Sequence, residues 1–126
     1  MDKKLFISYS DKDTTYANLL ARALKKKGIG VFTSQDSLLP GTDWDNIMRK
    51  ELQESSAVVA LISDNWAQSN WAATEYGAAY ALGKKIIPVI IEDLKKNIFI
   101  NINKLLTVDA KNEDLETVAT QVEEAL

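Results

Sequence analysis

Two groups of residues have the types and spacing for chemistry. In Trp71-Ala72-Ala73-Thr74-Glu75 an indole and a carboxylate stand four residues apart, which on a helix puts them on one face. Tyr76-Gly77-Ala78-Ala79-Tyr80-Ala81 follows with almost no polar group, so a helix carrying Glu75 is largely enclosed. A carboxylate in such surroundings needs a partner or a function, because unpaired burial raises its pKa and costs stability. Taken alone, the segment leaves a second reading open, in which Trp71 packs on a sheet and Glu75 points to water. The second group is Ser8-Tyr9-Ser10-Asp11 with Asp13. Its hydroxyls suit ribose or phosphate, and they suit helix capping equally well. This loop has neither a GxGxxG nor a GxxxxGK[ST] arrangement, so ordinary hydride transfer and ATP hydrolysis have little support.

Other chemistries are excluded by what is missing. The chain contains no histidine and no cysteine, which removes Ser-His catalysis, thiol nucleophiles, thiolate metal sites, disulfides and the commonest ligand for zinc. Asp36, Asp43 and Asp45 straddle a Pro-Gly turn and a helix start with no histidine to join them. Turn and cap roles account for them, and no obligatory metal is expected. The 15 basic and 18 acidic side chains are intermixed along the chain, so there is no long-range positive field to collect a nucleic acid. Lys25-Lys26-Lys27 closes a predicted helix, where cations favour the carboxyl end. The longest aliphatic run, Ile86 to Ile91, is too short to cross a bilayer, and Met1-Asp2-Lys3-Lys4 leads into a strand rather than a signal peptide. A cytoplasmic protein without a membrane partner is expected.

These residues must be positioned by a fold that 126 residues, 46% of them hydrophobic, can build as a single domain spanning 1–126. Leu5-Phe6-Ile7 begins a first strand. Tyr16, Leu19, Leu20, Ala23 and Leu24 recur at helical spacing over Thr14 to Lys27, with Asp13 or Thr14 as cap and Gly28 as stop. Ile29, Val31 and Phe32 form a second strand, and Thr33 to Gly41 a loop with a Pro-Gly turn. A helix follows from about Asp43 to Glu54, capped by Thr42 and burying Trp44, Ile47, Met48 and Leu52. Ala57 to Ile62 has no polar interruption and reads as a central strand ended by Ser63-Asp64-Asn65. Trp71 to Leu82 is a third helix, capped by Ser69 or Asn70. Ile86 to Ile91 is a fourth strand, in which Pro88 requires a nearby edge or an irregularity. A weak helical turn covers Asp93 to Asn101, Leu105 to Val108 is a short fifth strand, and Asn112 to Leu126 a closing helix.

Apolar strands alternating with amphipathic helices imply an α/β fold: a flavodoxin-like three-layer sandwich on a five-stranded parallel sheet of order 2-1-3-4-5. The order reverses between the first and third strands. A ligand then lies beyond their carboxyl ends, among Ser8 to Asp11 and Ser63 to Asn65, with the third helix beginning close by. Trp44 and Trp66 read most simply as packing residues, whereas an indole at this crevice can stack on a planar heterocycle, and Trp71 is better placed for that than Trp44.

Taken together, these residues resemble the Toll/interleukin-1 receptor (TIR) domain family, over essentially the whole chain. Phe6-Ile7-Ser8-Tyr9-Ser10 with Asp13 is similar to its first box. Gly30-Val31-Phe32 through Asp36, Leu38, Pro40, Gly41 and Trp44 is similar to its second strand and BB loop. Ser55, Val58-Val59, Ile62-Ser63, Trp66, Ser69, Trp71 and Glu75 follow the bacterial and plant type in order and spacing. The cysteine that many plant-type members carry after the tryptophan is Ala72 here, so thiol-dependent proposals do not transfer.

The resemblance implies that Glu75 is the catalytic residue of a NAD+ nucleosidase cleaving the nicotinamide-ribose bond. Ser8, Tyr9, Ser10, Asp36, Trp44 and Trp71 would then contact NAD+, which is the substrate and not a cofactor. Likeness to free-standing bacterial antiviral members implies a cyclic ADP-ribose isomer as an immune signal that reaches a separate effector. It also implies self-association, or binding of other TIR domains, through the loop Ser34 to Gly41, where Leu38-Leu39 stands before the turn. Two alternatives remain: a non-enzymatic TIR-TIR interaction module, bacterial effectors included, and an enzyme that attacks the N-glycosidic bond of nucleosides.

Overall fold

A computed structural model describes residues 3–33, 44–95 and 107–126. The strands are β1 (Lys4–Ser8), β2 (Gly30–Thr33), β3 (Ala57–Ile62), β4 (Lys85–Ile90) and β5 (Val108–Asp109). The helices are α1 (Thr14–Lys26), α2 (Trp44–Glu54), α3 (Asp64–Ala67), α4 (Asn70–Ala81) and α5 (Leu115–Ala125), with a 3-10 turn at Asp11–Asp13. All strand pairs are parallel and the order is β2-β1-β3-β4-β5, the flavodoxin-like arrangement expected.

All six residues of β3 are buried, which suits a strand with covered faces and neighbours on both sides. Strand alternation then separates two apolar layers. Leu5, Ile7, Val59, Leu61, Ile87 and Val89 join α1 and α5 on one face. Phe6, Phe32 and Val58 join Met48 and Leu52 of α2 and Ala79 of α4 on the other, where the Phe6 and Phe32 rings stand 5.3 Å apart. The second layer holds the site.

Several boundaries differ from expectation for local reasons. Asp13 occupies the N-cap position of α1 but its side chain makes no capping bond; Ser10 instead accepts from the Lys12 amide and starts the 3-10 turn. Ser63-Asp64-Asn65, expected only to end the third strand, also starts a helical turn over Asp64–Ala67, because the Ser63 hydroxyl accepts from the Trp66 amide at 3.0 Å. The closing helix starts later than expected, at Leu115, where Asp114 accepts from the Thr117 amide. The fifth strand is confined to Val108–Asp109 among the described residues, while Leu105, Leu106, the Thr42 cap and the Asn101 end of the expected turn lie outside them.

Pro88 sits opposite Ala60 within β4, one strand in from the edge. The Ile90 carbonyl accepts from the Ala110 amide and so faces β5, and alternation turns the Pro88 nitrogen to the same side. Pairing with β5 begins only at Val89, so the missing amide hydrogen interrupts no described ladder bond.

Two glycines make opposite demands on the backbone. Gly28 ends α1 at φ 82°, whereas Gly77 lies inside α4, and an added methyl would meet nothing within 4 Å at either. Gly28→Ala should therefore destabilise the protein by about 1 kcal/mol through the left-handed backbone alone. Gly77→Ala should stabilise it by about 0.5–1 kcal/mol through helix propensity. Urea unfolding of both variants checks this, and shifts of the same sign would refute it.

Candidate functional site

The site begins with the strand period. Phe6 and Ser8 share one face of β1, with Phe6 opposite Val58 and Ser8 opposite Ala60. On α4, Glu75 and Ala79 are four residues apart and share the face toward this layer, where Ala79 packs in the cluster with Phe6. Four helical residues rise about 6 Å and two strand residues about 6.6 Å, so the two spacings match. With Ala79 against Phe6, Glu75 falls over Ser8, at the carboxyl end of β1 where the strand order reverses.

There the Ser8 hydroxyl donates to Glu75 Oε1 at 2.9 Å, and Trp66 Nε1 donates to Ser8 Oγ at 3.1 Å. An indole N–H can only donate, so the serine oxygen accepts from Trp66 and its hydrogen is committed to the carboxylate. Ser8 and Glu75 are each 1% exposed and Trp66 is fully buried. Glu75 Oε2 is buried with no hydrogen-bond partner among the described residues.

Burial pushes the Glu75 carboxyl up to about 8, and the Ser8 hydrogen bond opposes part of that rise. At neutral pH the acid is mostly neutral.

A second set of bonds holds Trp66. Ser63 caps α3 and its hydroxyl donates to Asp13 Oδ2 at 2.5 Å, linking the segments that follow β1 and β3. The Trp66 indole also meets the Tyr76 ring edge-on, with centroids 6.5 Å apart.

The expected site residues thus have different settings. Ser8 and Glu75 are brought together. Tyr9 is buried in the layer on the opposite face of the sheet, with its hydroxyl unpartnered among the described residues. Ser10 is engaged in its cap. Asp36 and the loop Ser34 to Gly41 lie outside the described residues, as do the side chains of Trp44 and Trp71, although both tryptophans belong to helices, α2 and α4. Trp66 is the residue whose polar role sequence reading missed. Ser63-Asp64, a cap followed by an acid, signals the start of a short helix there, but no local signal gives the direction of the indole.

A cavity of about 420 Å³ also opens at this end of the sheet, lined by Lys12, Asp13, Tyr16, Asn65, Ile91 and Glu92 among others, but Glu75 does not line it. Among the described residues no cluster of three or more Asp or Glu could hold a metal ion, and no helix is long and apolar enough to cross a membrane.

A family model described as TIR domain matches residues 5–125. No curated protein matches the chain. Among solved structures, the chain is similar to the TIR domain of the Toll-related receptor TRR-2 from Hydra magnipapillata, with a TM-score of 0.77 and 19% identity over 96% of this chain and 94% of that one. It is similar to the TIR domains of the activated Roq1 resistosome, which directly recognises the pathogen effector XopQ, with a TM-score of 0.63 and 22% identity over 98% of this chain and 72% of that one. It is also similar to the CMP N-glycosidase BcmB of Clostridium botulinum, with a TM-score of 0.68 and 15% identity over 97% and 99%. Likeness at these identities establishes the fold.

The raised Glu75 pKa has a consequence for stability. Between its ordinary 4.5 and about 8, the folded state holds a proton that the unfolded state has released, so rising pH costs stability across that window. Glu75→Gln imitates the neutral acid and removes this dependence. Native protein should lose up to about 1.4 kcal/mol per pH unit relative to Glu75→Gln between pH 5 and 8. Urea unfolding at each pH measures it, and parallel profiles would refute the burial of an ionisable carboxyl.

Proposed function

The chain belongs to the TIR domain family, and from that premise we propose that it is a NAD+ nucleosidase that breaks the nicotinamide-ribose bond with Glu75 as its catalytic residue. The observation that carries the reading is the buried Glu75 carboxyl, held by Ser8 at the strand-order reversal with Oε2 unpartnered.

The chemistry suits a site with one carboxylate. The nicotinamide nitrogen is already cationic in NAD+, so when the C1′–N bond breaks it takes both electrons and leaves neutral, with no acid needed to protonate it. Hydrolysis of ordinary glycosides, by contrast, requires a second carboxyl group as that acid. The positive charge passes to the ribosyl C1′ and ring oxygen. Glu75, ionised by the approach of the cationic substrate, stabilises that charge as an ion pair or by transient capture. Water then adds at C1′ and releases a proton, giving ADP-ribose. An adenine nitrogen or hydroxyl of the same molecule adds instead to give a cyclic isomer, the product we favour as a signal to a separate effector. Ser8 holds the carboxylate, and the remaining substrate contacts we assign to Asp36, Trp44 and Trp71; Tyr9, buried on the opposite face of the sheet, and Ser10, engaged in its cap, are not among them.

Incubation with NAD+, CMP and deoxynucleosides, with products identified by mass spectrometry, tests the reading. NAD+ should be consumed, and Glu75→Gln should lose activity by at least about a hundredfold while remaining folded. Cleavage of CMP or a deoxynucleoside in place of NAD+ would move the assignment to nucleoside processing; no cleavage of any of them would leave an interaction module. Because the ionised carboxylate is required, kcat/KM should rise about tenfold per pH unit up to about 8 and level off above it. A flat profile across that range would contradict the role given to Glu75.

Within a single chain Glu75 is 1% exposed, too enclosed to meet a dinucleotide directly. Self-association through the loop Ser34 to Gly41 is the step we propose to open and complete the cleft. Specific activity should therefore climb with protein concentration; strict proportionality of rate to concentration in a monomeric sample would count against it.

A further inference from the structure

Resting on the reading of Glu75 as the reacting carboxylate, we propose that Trp66 is a positioning residue, whose indole N–H sets the direction of the Ser8 hydroxyl and thereby directs a hydrogen bond onto Glu75 Oε1. A serine hydroxyl is otherwise a rotor that donates or accepts as its surroundings require. Here its oxygen receives the indole N–H at 3.1 Å and its hydrogen lies toward Oε1 at 2.9 Å. The indole has little freedom to turn. It is fully buried, meets Tyr76 edge-on, and rides on a four-residue helix whose N-cap, Ser63, is itself bonded to Asp13. Tyr76 is the residue after Glu75, so the ring that orders Ser8 also packs on the turn that carries the carboxyl group.

The consequence is selective for one protonation state. With the indole in place, Ser8 donates and supports the charged carboxylate. Without the indole N–H, the serine oxygen is open to accept from the neutral acid, so the hydroxyl supports both states and the advantage of the charged one shrinks. Among the described residues no charged group from β1, β3, α2 or α3 contributes to Glu75; burial and Ser8 account for its shift, and Asp13 reaches Ser63 rather than Glu75. A residue serving only to fill the core would have no such effect.

Trp66→Phe removes the N–H, and replacement of Trp66 by benzothienylalanine, in which sulfur stands for the N–H, does so without changing shape should the phenylalanine variant fail to fold. The protonation midpoint of Glu75 is read without substrate, from the pH dependence of unfolding relative to the same background carrying Glu75→Gln. The kcat/KM profile for NAD+ is read in parallel. Either replacement should raise the midpoint by about one pH unit, which lowers kcat/KM at pH 7 about tenfold and restores most of it by pH 9. In a Ser8→Ala background the same replacement should produce no further shift, because Trp66 acts through Ser8. An unmoved midpoint, or an equal shift with Ser8 already removed, would overturn the proposal. A chain that cleaves no NAD+ but shows the coupled midpoint shifts would remove the proposed activity while leaving the Trp66 relay standing.

Discussion

The hydrogen bond from Ser8 to Glu75 joins the last residue of β1 to the second turn of α4, inside the protein, where neither group reaches water. Burial of a carboxyl group on that scale is tolerated only because it is neutral for most of the time and has one oxygen supported. Much of the local structure follows from meeting that requirement. Ser8 must face α4 rather than α1, which the alternation of β1 ensures once Phe6 lies in the α2–α4 layer. Its oxygen must be satisfied too, and the Trp66 indole does this from a short helix that Ser63 starts.

This arrangement also places the Ser8–Glu75 pair at the reversal of strand order. β1 is central, with β2 on one side and β3 on the other, so the segments leaving β1 and β3 diverge to opposite faces of the sheet. The bond between Asp13 and Ser63 ties these segments where they part. Glu75 is thereby held beside the carboxyl end of β1, buried against the apolar layer beneath.

The departures from the expected elements are concentrated where polar side chains compete for backbone partners. Asp13 was a reasonable helix cap by residue type, but its carboxylate is used across the structure by Ser63. Ser10, one of several hydroxyls suited to ligand or cap, starts a 3-10 turn. Tyr9, between Ser8 and Ser10, falls on the opposite face from Ser8 because neighbouring residues at a strand end diverge by the period of the strand. Sequence proximity in this loop therefore does not amount to a common site.

The order of apolar runs and helical periods determined the fold class, because each run can bury its surface only by pairing with the next parallel strand beneath a crossover helix. The enclosure expected for the helix from Tyr76 to Ala81 is not found: Glu75 and Ala79 are buried, but Gly77, Tyr80 and Ala81 are exposed, because α4 lies on the sheet by one face and turns the other to solvent. The identity of the carboxylate's support was not legible either. Ser8, Trp66 and Glu75 are separated by 58 and 67 positions along the chain, and nothing local to Trp66 distinguishes a core indole from one aimed at a serine. That choice was made when the rise of α4 came into register with β1, since only a tertiary match between a helix repeat and a strand repeat brings a carboxylate, a hydroxyl and an indole N–H within bonding distance.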